Sequence, residues 1–231
     1  MFRHVEKLFI GEPTRKGPRP SVGLDTVNLT APAKRIFDLS FAIAFVLLCS
    51  PILILLGALL LIAQGRPIFI KHTRVGRGGR RFPCFKFRTM RNDADAILKR
   101  HLENNRQASI EWETTRKLKD DPRVTALGRV LRKSSVDELP QLFNVIRGDM
   151  SLVGPRPIVE QEVKFYGAAI SQYYSVRPGL TGLWQISGRS DVSYGTRVNL
   201  DVAYVESASL PRDMMILMKT VSVVLTSKGS Y

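Results

Sequence analysis

One stretch of the chain interrupts the alternation of apolar and charged positions seen elsewhere. From Leu39 to Ala63 there are 25 residues without a charge, and only Ser40 and Ser50 are polar. As a single helix this run would be ~37 Å long at 1.5 Å per residue, enough to cross a bilayer. A buried soluble helix is the poorer reading, since a helix apolar all round needs cover on every side. Ser50-Pro51 sits near the middle. Proline inside a helix removes a hydrogen bond and crowds the preceding turn, costing roughly 3 kcal/mol, whereas Ser followed by Pro suits a helix start. The run is therefore one kinked span or two short helices joined by a bend at Ser50 and Pro51.

Beyond it the pattern changes period. PIFIKHTRVGRGGRRFPCFKFRTM (67–90) holds two strand-like stretches around a Gly-rich turn at 76–79 and predicts a β-hairpin. GRGG lacks the Gly-Lys-Ser/Thr ending of a phosphate loop, so it reads as turn chemistry. Phe85 and Phe87 alternate with Lys86 and Arg88, giving one greasy face and one basic face suited to phosphate groups at a membrane surface. Asn92 or Asp93 can cap a helix carrying Ile97, Leu98, His101 and Leu102 at helical spacing. Val124, Leu127, Val130 and Leu131 mark one face of a further short helix, and an apolar helix closes the sequence, packing on the core or lying at an interface. The expected fold is α/β, mostly α with a small β-hairpin. A disordered basic tail over 1–32 and a membrane segment over 33–65 precede a globular domain over 66–231.

Charge narrows the partners. The 231 residues hold 35 Lys+Arg against 20 Asp+Glu, a formal +15. Such an excess predicts an anionic partner: nucleic acid, anionic lipid or a phosphorylated substrate. Arg15, Lys16, Arg19, Lys34 and Arg35 lie upstream of the apolar run, and nine basic residues with no acidic one lie between Arg66 and Arg91 downstream. Basic flanks stay cytoplasmic. Two basic flanks suit a segment that dips in and returns, although a kinked span stays open. Cys49 and Cys84 make no disulfide framework, and His4, His72 and His101 lack metal-ligand spacing.

KSSVDELPQL (133–142) sets two carboxylates side by side in this basic chain. Ser135-x-x-Glu138 fits a capping box, but Pro140 would then fall where a helical N–H is required. With Asp137 as cap, Pro140 occupies an early position whose N–H is unpaired anyway. A helix start at Asp137, running to a stop at Gly148, would keep that carboxylate ionised and favour phosphate beside it. Adjacent helical residues diverge by about 100°, so one carboxylate could attack while the other binds a metal. Acidic residues at helix starts also serve stability alone.

Two further stretches carry candidate chemistry. In MSLVGPRPIVEQE (150–162) prolines flank Arg156 and could aim its guanidinium at a phosphate; GPRP also stands at 17–20 with no apolar stretch before it, so four residues alone mean little. Residues 173–197 read as loop, with Gly179, Gly182, Gly188 and Gly195 turning the chain. There Trp184 and Tyr194 are candidates for base stacking or for packing, and Arg177, Arg189 and Arg197 for phosphate.

KRIFD ahead of the Ser-Pro-interrupted run, then FKFRTM, LRKSSVDELPQL, RGDMSLVGPRP and RPGLTGLWQISGR, in that order, resemble the bacterial sugar transferases, the monotopic phosphoglycosyl transferases that begin glycan assembly on a polyprenol carrier. The resemblance runs from about Lys34 to Tyr231, and the short length looks like the stand-alone exopolysaccharide-initiating members. It implies a re-entrant helix bent at Ser50-Pro51 in the bacterial inner membrane, with the rest cytoplasmic. It implies that Asp137 attacks the β-phosphorus of a UDP-hexose, galactose or glucose, expels UMP and passes the phosphosugar to undecaprenyl phosphate. Glu138 matches a Mg²⁺-binding partner, Arg132 a phosphate-binding arginine, and Pro155, Arg156 and Pro157 the motif linked to the nucleotide end; Arg88 is a further phosphate candidate. It leaves room for a homodimer and implies no nucleic-acid partner. Two other readings stay open on the residues themselves. One is a membrane-tethered nucleic-acid binder, with salt-sensitive binding and no role for the carboxylates. The other is a Mg²⁺-dependent phosphohydrolase using the same acidic pair.

Overall fold

The computed structural model describes residues 25–115, 118–188 and 192–226. The uncharged run lies within one 40-residue helix, α1 (Asp25–Gln64), which passes through Pro32 and Pro51. Helix α1 starts at Asp25, its membrane-compatible stretch is Pro32–Gln64, and the part of the tail ahead of Asp25 lies outside the described residues. The chain stays helical through the Ser-Pro step for a local reason. Pro51 has no N–H for the Leu47 carbonyl, and the Ser50 hydroxyl donates to that carbonyl instead, at 2.8 Å. Among the described residues this is the one helix long and apolar enough to cross a membrane, with mean hydropathy 2.9 over its best window.

Both ends of α1 are fastened to the same globular body. Near its start, Arg35 donates to the carbonyls of Val145 (2.6 Å) and Ile146 (2.9 Å). Asp38 accepts from the Leu152 amide at 3.2 Å. Near its end, Leu56 and Leu60 pack with Phe87 and Leu131. Arg88 then donates to the carbonyls of Gln64, Gly65 and Arg66 just past the last turn. Those carbonyls have no partner within the helix, so a buried guanidinium closes it.

The predicted hairpin is present. Strand β1 (Phe69–Val75) pairs antiparallel with β2 (Arg81–Phe87), Phe69 opposite Phe87 and Val75 opposite Arg81. Gly78 and Gly79 turn the chain with φ of 64° and 74°. Helices α2 (Ala94–Asn104) and α3 (Arg106–Thr115) follow. In α4 (Ala126–Lys133), Thr125 accepts from the Gly128 amide as a cap. Leu131 of α4 is buried while Val130 stands exposed, so the expected apolar face is narrower than the sequence suggested. A 3-10 turn (Val136–Glu138) leads to α5 (Gln141–Arg147), which Gly148 ends in the left-handed conformation at φ 90°.

The sequence reading missed a second sheet. Strand β3 (Ser151–Val153) pairs in parallel with β4 (Gly179–Thr181) after a crossover through two 3-10 turns and α6 (Ile170–Ser175). Three-residue strands carry too little periodicity to announce themselves. Then come α7 (Leu183–Ile186), α8 (Tyr194–Glu206) and α9 (Leu210–Thr226). The main core gathers Ala42 of α1, Leu142 and Val145 of α5, Leu152, Leu183, Tyr204 and Ile216. Helix α9 packs on the core through Ile216, while Met214, Met218 and Val221 face outward.

Candidate active site

The acidic pair is positioned by a strained turn. After α4 the chain reverses at Ser135, a non-glycine residue at φ 58° and ψ 14° that makes no side-chain cap bond. The capping-box alternative therefore fails. The expected helix start at Asp137 also moves: α5 begins at Gln141, and Asp137 lies within the preceding 3-10 turn. The cause is Pro140. It has no N–H to give the Val136 carbonyl, which takes the Leu139 amide at 3.1 Å instead and tightens the turn.

Side-chain cations replace the helix terminus as the source of positive charge. Lys86 Nζ lies 2.7 Å from Glu138 Oε1 and 3.9 Å from Asp137 Oδ2. Arg156 Nη2 reaches the same Glu138 oxygen at 3.4 Å. Arg132 at the end of α4 is oriented by Thr89, whose hydroxyl accepts from its Nε at 2.9 Å, and its charge acts on Asp137. The two carboxylates do not diverge as two neighbours on an α-helix would, for both converge on Lys86. Their environments nevertheless separate them. Burial pushes the Asp137 carboxyl above the usual range, with Lys86 and Arg132 opposing and Glu138 adding to the rise. Burial acts on Glu138 in the same sense, but Lys86 and Arg156 outweigh it and hold that carboxyl at about 2. Glu138 is a fixed anion, and Asp137 is the carboxylate whose ionisation is destabilised and whose basicity is raised.

The Pro155-Arg156-Pro157 turn is fixed by the second sheet. The Gly154 amide donates to the Thr181 carbonyl at 2.9 Å and the Gly179 amide to the Pro155 carbonyl at 2.8 Å. A Cβ at Gly179 would lie 2.1 Å from the Gly154 nitrogen, so this crossing excludes side chains. Arg156 and Pro157 line one cleft with Arg74, Cys84, Lys86, Glu138, Gln141 and Leu180. The Arg156 guanidinium also lies over the Trp184 ring at 5.4 Å. Asp137, Glu138, Arg132, Pro155, Arg156 and Pro157, far apart in sequence, are thus brought together.

Other candidates are placed elsewhere. Arg88 is 5 % exposed and bonded to the end of α1 and to Asn92, so it braces α1 instead of facing the cleft. The alternation Phe-Lys-Phe-Arg does not continue past the strand, which is why the basic face holds Lys86 and not Arg88. Arg177 Nε donates to the Gly148 carbonyl. Arg189 and the first GPRP lie outside the described residues. Ser50 lines an apolar groove of about 400 Å³ between α1 and Phe69, Phe87 and Phe143. Trp184 and Tyr194 each receive the Arg197 guanidinium at 5.0 Å. Sequence reasoning missed Lys86 as the residue nearest the dyad; its only signal was that it shares a strand face with the cleft side of the hairpin. It also missed Arg74 and Glu162, 4.0 Å apart, and Asp201, which accepts from the Tyr166 hydroxyl at 2.6 Å.

Asp137 and Glu138 are oxygen donors of the kind Mg²⁺ takes. Among the described residues no cluster of three or more His, Cys, Asp or Glu side chains forms a metal site. That donor set fits a cation shared with phosphate oxygens of a ligand better than an all-protein cage.

The chain is 52% identical over 199 residues to the exopolysaccharide production protein ExoY of Sinorhizobium fredii, covering 86% of this chain and 88% of that one. It is 50% identical over 198 residues to the undecaprenyl-phosphate galactose phosphotransferase of Salmonella typhimurium, covering 86% of this chain but 41% of that longer protein. It is 36% identical over 226 residues to the UDP-glucose:undecaprenyl-phosphate glucose-1-phosphate transferase of Caulobacter vibrioides, covering 93% and 76%. Residues 29–227 match the bacterial sugar transferase profile, and with the Asp137-Glu138 pair inside that span, the chain belongs to the bacterial sugar transferase family.

Proposed function

We propose that the protein transfers hexose-1-phosphate from a UDP-hexose, galactose or glucose, to undecaprenyl phosphate, starting an exopolysaccharide repeat unit. The observation that carries this reading is the division of the dyad. Asp137 is a buried carboxylate of raised basicity facing Lys86 and Arg132, while Glu138 is locked as an anion by Lys86 and Arg156. A carboxylate oxygen of Asp137 attacks the β-phosphorus of the donor. The bond from that phosphorus to the bridging oxygen breaks, and UMP leaves with the electron pair. The phosphosugar is then held as an acyl phosphate on Asp137. A phosphate oxygen of the acceptor attacks the same phosphorus, and the Asp137 carboxylate departs. Two steps replace one direct encounter of two bulky anions. Lys86, Arg132 and Arg156 are set to balance the charge that develops on phosphate oxygens. Mg²⁺, held by Glu138 with Asp137, would supply further charge neutralisation.

The names of the Salmonella and Caulobacter relatives support the acceptor, and that of the Caulobacter relative the UDP donor. Helix α1 supports membrane placement. A straight helix from Asp38 to Leu60 would be ~33 Å long, yet both regions pack on one globular body. That supports a re-entrant α1 over a crossing one, and the basic flanks support a catalytic domain on the cytoplasmic face of the inner membrane.

Purified protein incubated with labelled UDP-hexose and Mg²⁺ should release UMP, retain label on the chain, and pass it to lipid when undecaprenyl phosphate is added. Release of free sugar phosphate without an acceptor would instead support the phosphohydrolase reading. Full activity in Asp137→Asn would overturn the nucleophile assignment. Cysteine labelling of the two flanks in intact cells tests the topology; labelling from opposite sides would sink the re-entrant reading.

A further inference from the structure

Several buried polar atoms without partners lie on or beside α7, apart from those of Gln64 and Arg88 at the end of α1. Among the described residues, Trp184 Nε1, both carboxamide atoms of Gln185, Ser187 Oγ, and Nε and Nη2 of Arg197 are buried and make no hydrogen bond. Gln185 is 8 % exposed and Arg197 7 %. Native proteins keep few such atoms, because each forfeits its hydration without replacement. Packing does not explain Gln185. Leu183, Trp184 and Ile186 bring α7 onto the main core, which leaves Gln185 as the polar residue of that short helix. Trp184 connects this helix to the cleft through Arg156, which lines it. Trp184 carries the guanidiniums of Arg156 and Arg197, and Arg156 reaches Glu138. A Cβ at Gly182 would meet the Gly154 carbonyl at 2.2 Å and Gln185 Oε1 at 3.1 Å, so the carboxamide sits beside the root of the Pro155-Arg156-Pro157 turn.

We propose that Gln185 is the residue that reads the donor's nucleobase, its carboxamide donating to a uracil carbonyl and accepting from the N3–H. This rests on the UDP-sugar reading above and extends it to a specificity residue. The order of groups fits. The dyad takes the reacting phosphorus, Arg156 stands next, and Trp184 and Gln185 lie one position further, where the nucleoside must follow the diphosphate. A carboxamide presents an adjacent donor and acceptor, the complement of an imide edge, whereas a phosphate calls for donors alone. Trp184, between its two arginines, walls the same site.

Equilibrium binding to the detergent-solubilised full chain tests this with UMP, N3-methyl-UMP and ribose 5-phosphate as probes. Wild type should hold UMP about tenfold or more tightly than either of the others, as expected for loss of one to two neutral hydrogen bonds. Gln185→Met, close to isosteric, should weaken UMP by about 10- to 100-fold and leave ribose 5-phosphate unchanged. Its unliganded unfolding temperature should stay level or rise, since two unpaired buried atoms are removed. A structural glutamine would behave oppositely, losing stability and weakening every probe together. Unchanged UMP binding in Gln185→Met, or equal binding of UMP and N3-methyl-UMP by wild type, overturns the assignment. A wild-type chain that turns over UDP-hexose while Gln185→Met still binds UMP normally defeats this proposal alone; a wild-type chain that releases no UMP defeats the donor reading first.

Discussion

Lys86 Nζ sits 2.7 Å from Glu138 and 3.9 Å from Asp137, so one ammonium serves two carboxylates unequally. Removing it should affect both. Lys86→Met is expected to lower turnover by about 10²–10³, the scale of losing one preorganised donor. Lys86 also opposes the rise in the Asp137 carboxyl, so the acid limb of the rate profile should move to higher pH in the variant. A pH–rate series on UMP release checks it; an unmoved limb would separate Lys86 from Asp137.

Asp201 gives a second pH dependence, of stability and not of rate. Burial raises its carboxyl to about 6, against the Tyr166 bond and Arg197. Because the folded value exceeds the unfolded 3.8, its contribution is fully present below pH 3.8 and is lost as pH rises through about 6. The size is on the order of 2–3 kcal/mol. Glu138 acts in the opposite sense over a lower window: its contribution is present above 4.5 and lost as pH falls toward about 2. Thermal unfolding from pH 4 to 7 should show declining stability in wild type and a flatter line in Asp201→Asn.

Gly128 supports the site from a distance. A Cβ there would lie 2.0 Å from the Thr89 carbonyl oxygen, and Thr89 also orients Arg132. Gly128→Ala should destabilise by roughly 1–3 kcal/mol, the range of overpacked cores, and should reduce activity more than that loss explains. Denaturant unfolding set beside turnover of the folded fraction separates the two effects.

Arg88 is expected to act on α1. Arg88→Met leaves the carbonyls after α1 without their donor and should cost roughly 3 kcal/mol. Lysine has one donor head instead of a planar fork and should rescue poorly. The readout is protease sensitivity at residues 64–68 in membranes. Loss of UMP binding with an intact helix end would return Arg88 to the substrate.

The features that carry their own period were legible in the sequence. The uncharged run, the hairpin around 76–79 and the Gly148 stop all rest on local rules. What stayed hidden depends on tertiary crossings. Nothing local to Ser151–Val153 and Gly179–Thr181 says that they pair across the chain. Asp137 was recognisable through Pro140, yet the same proline displaced the helix start that the sequence placed there. Lys86 and Arg88 look alike on paper; a strand that ends at Phe87 sends one to the dyad and the other to α1.

Lys34 on the first described helix pairs with Asp213 on the last, 179 positions later in the chain, and Tyr204 donates to that same buried carboxylate. During synthesis α1 therefore emerges long before the partner of its charged end exists. Its lysine has to wait in water or among lipid headgroups while the catalytic body is made. Closure is then a late event of high sequence separation, and so slow. Each molecule of this protein passes through a period in which α1 is complete and its most distant side-chain partner is not yet made.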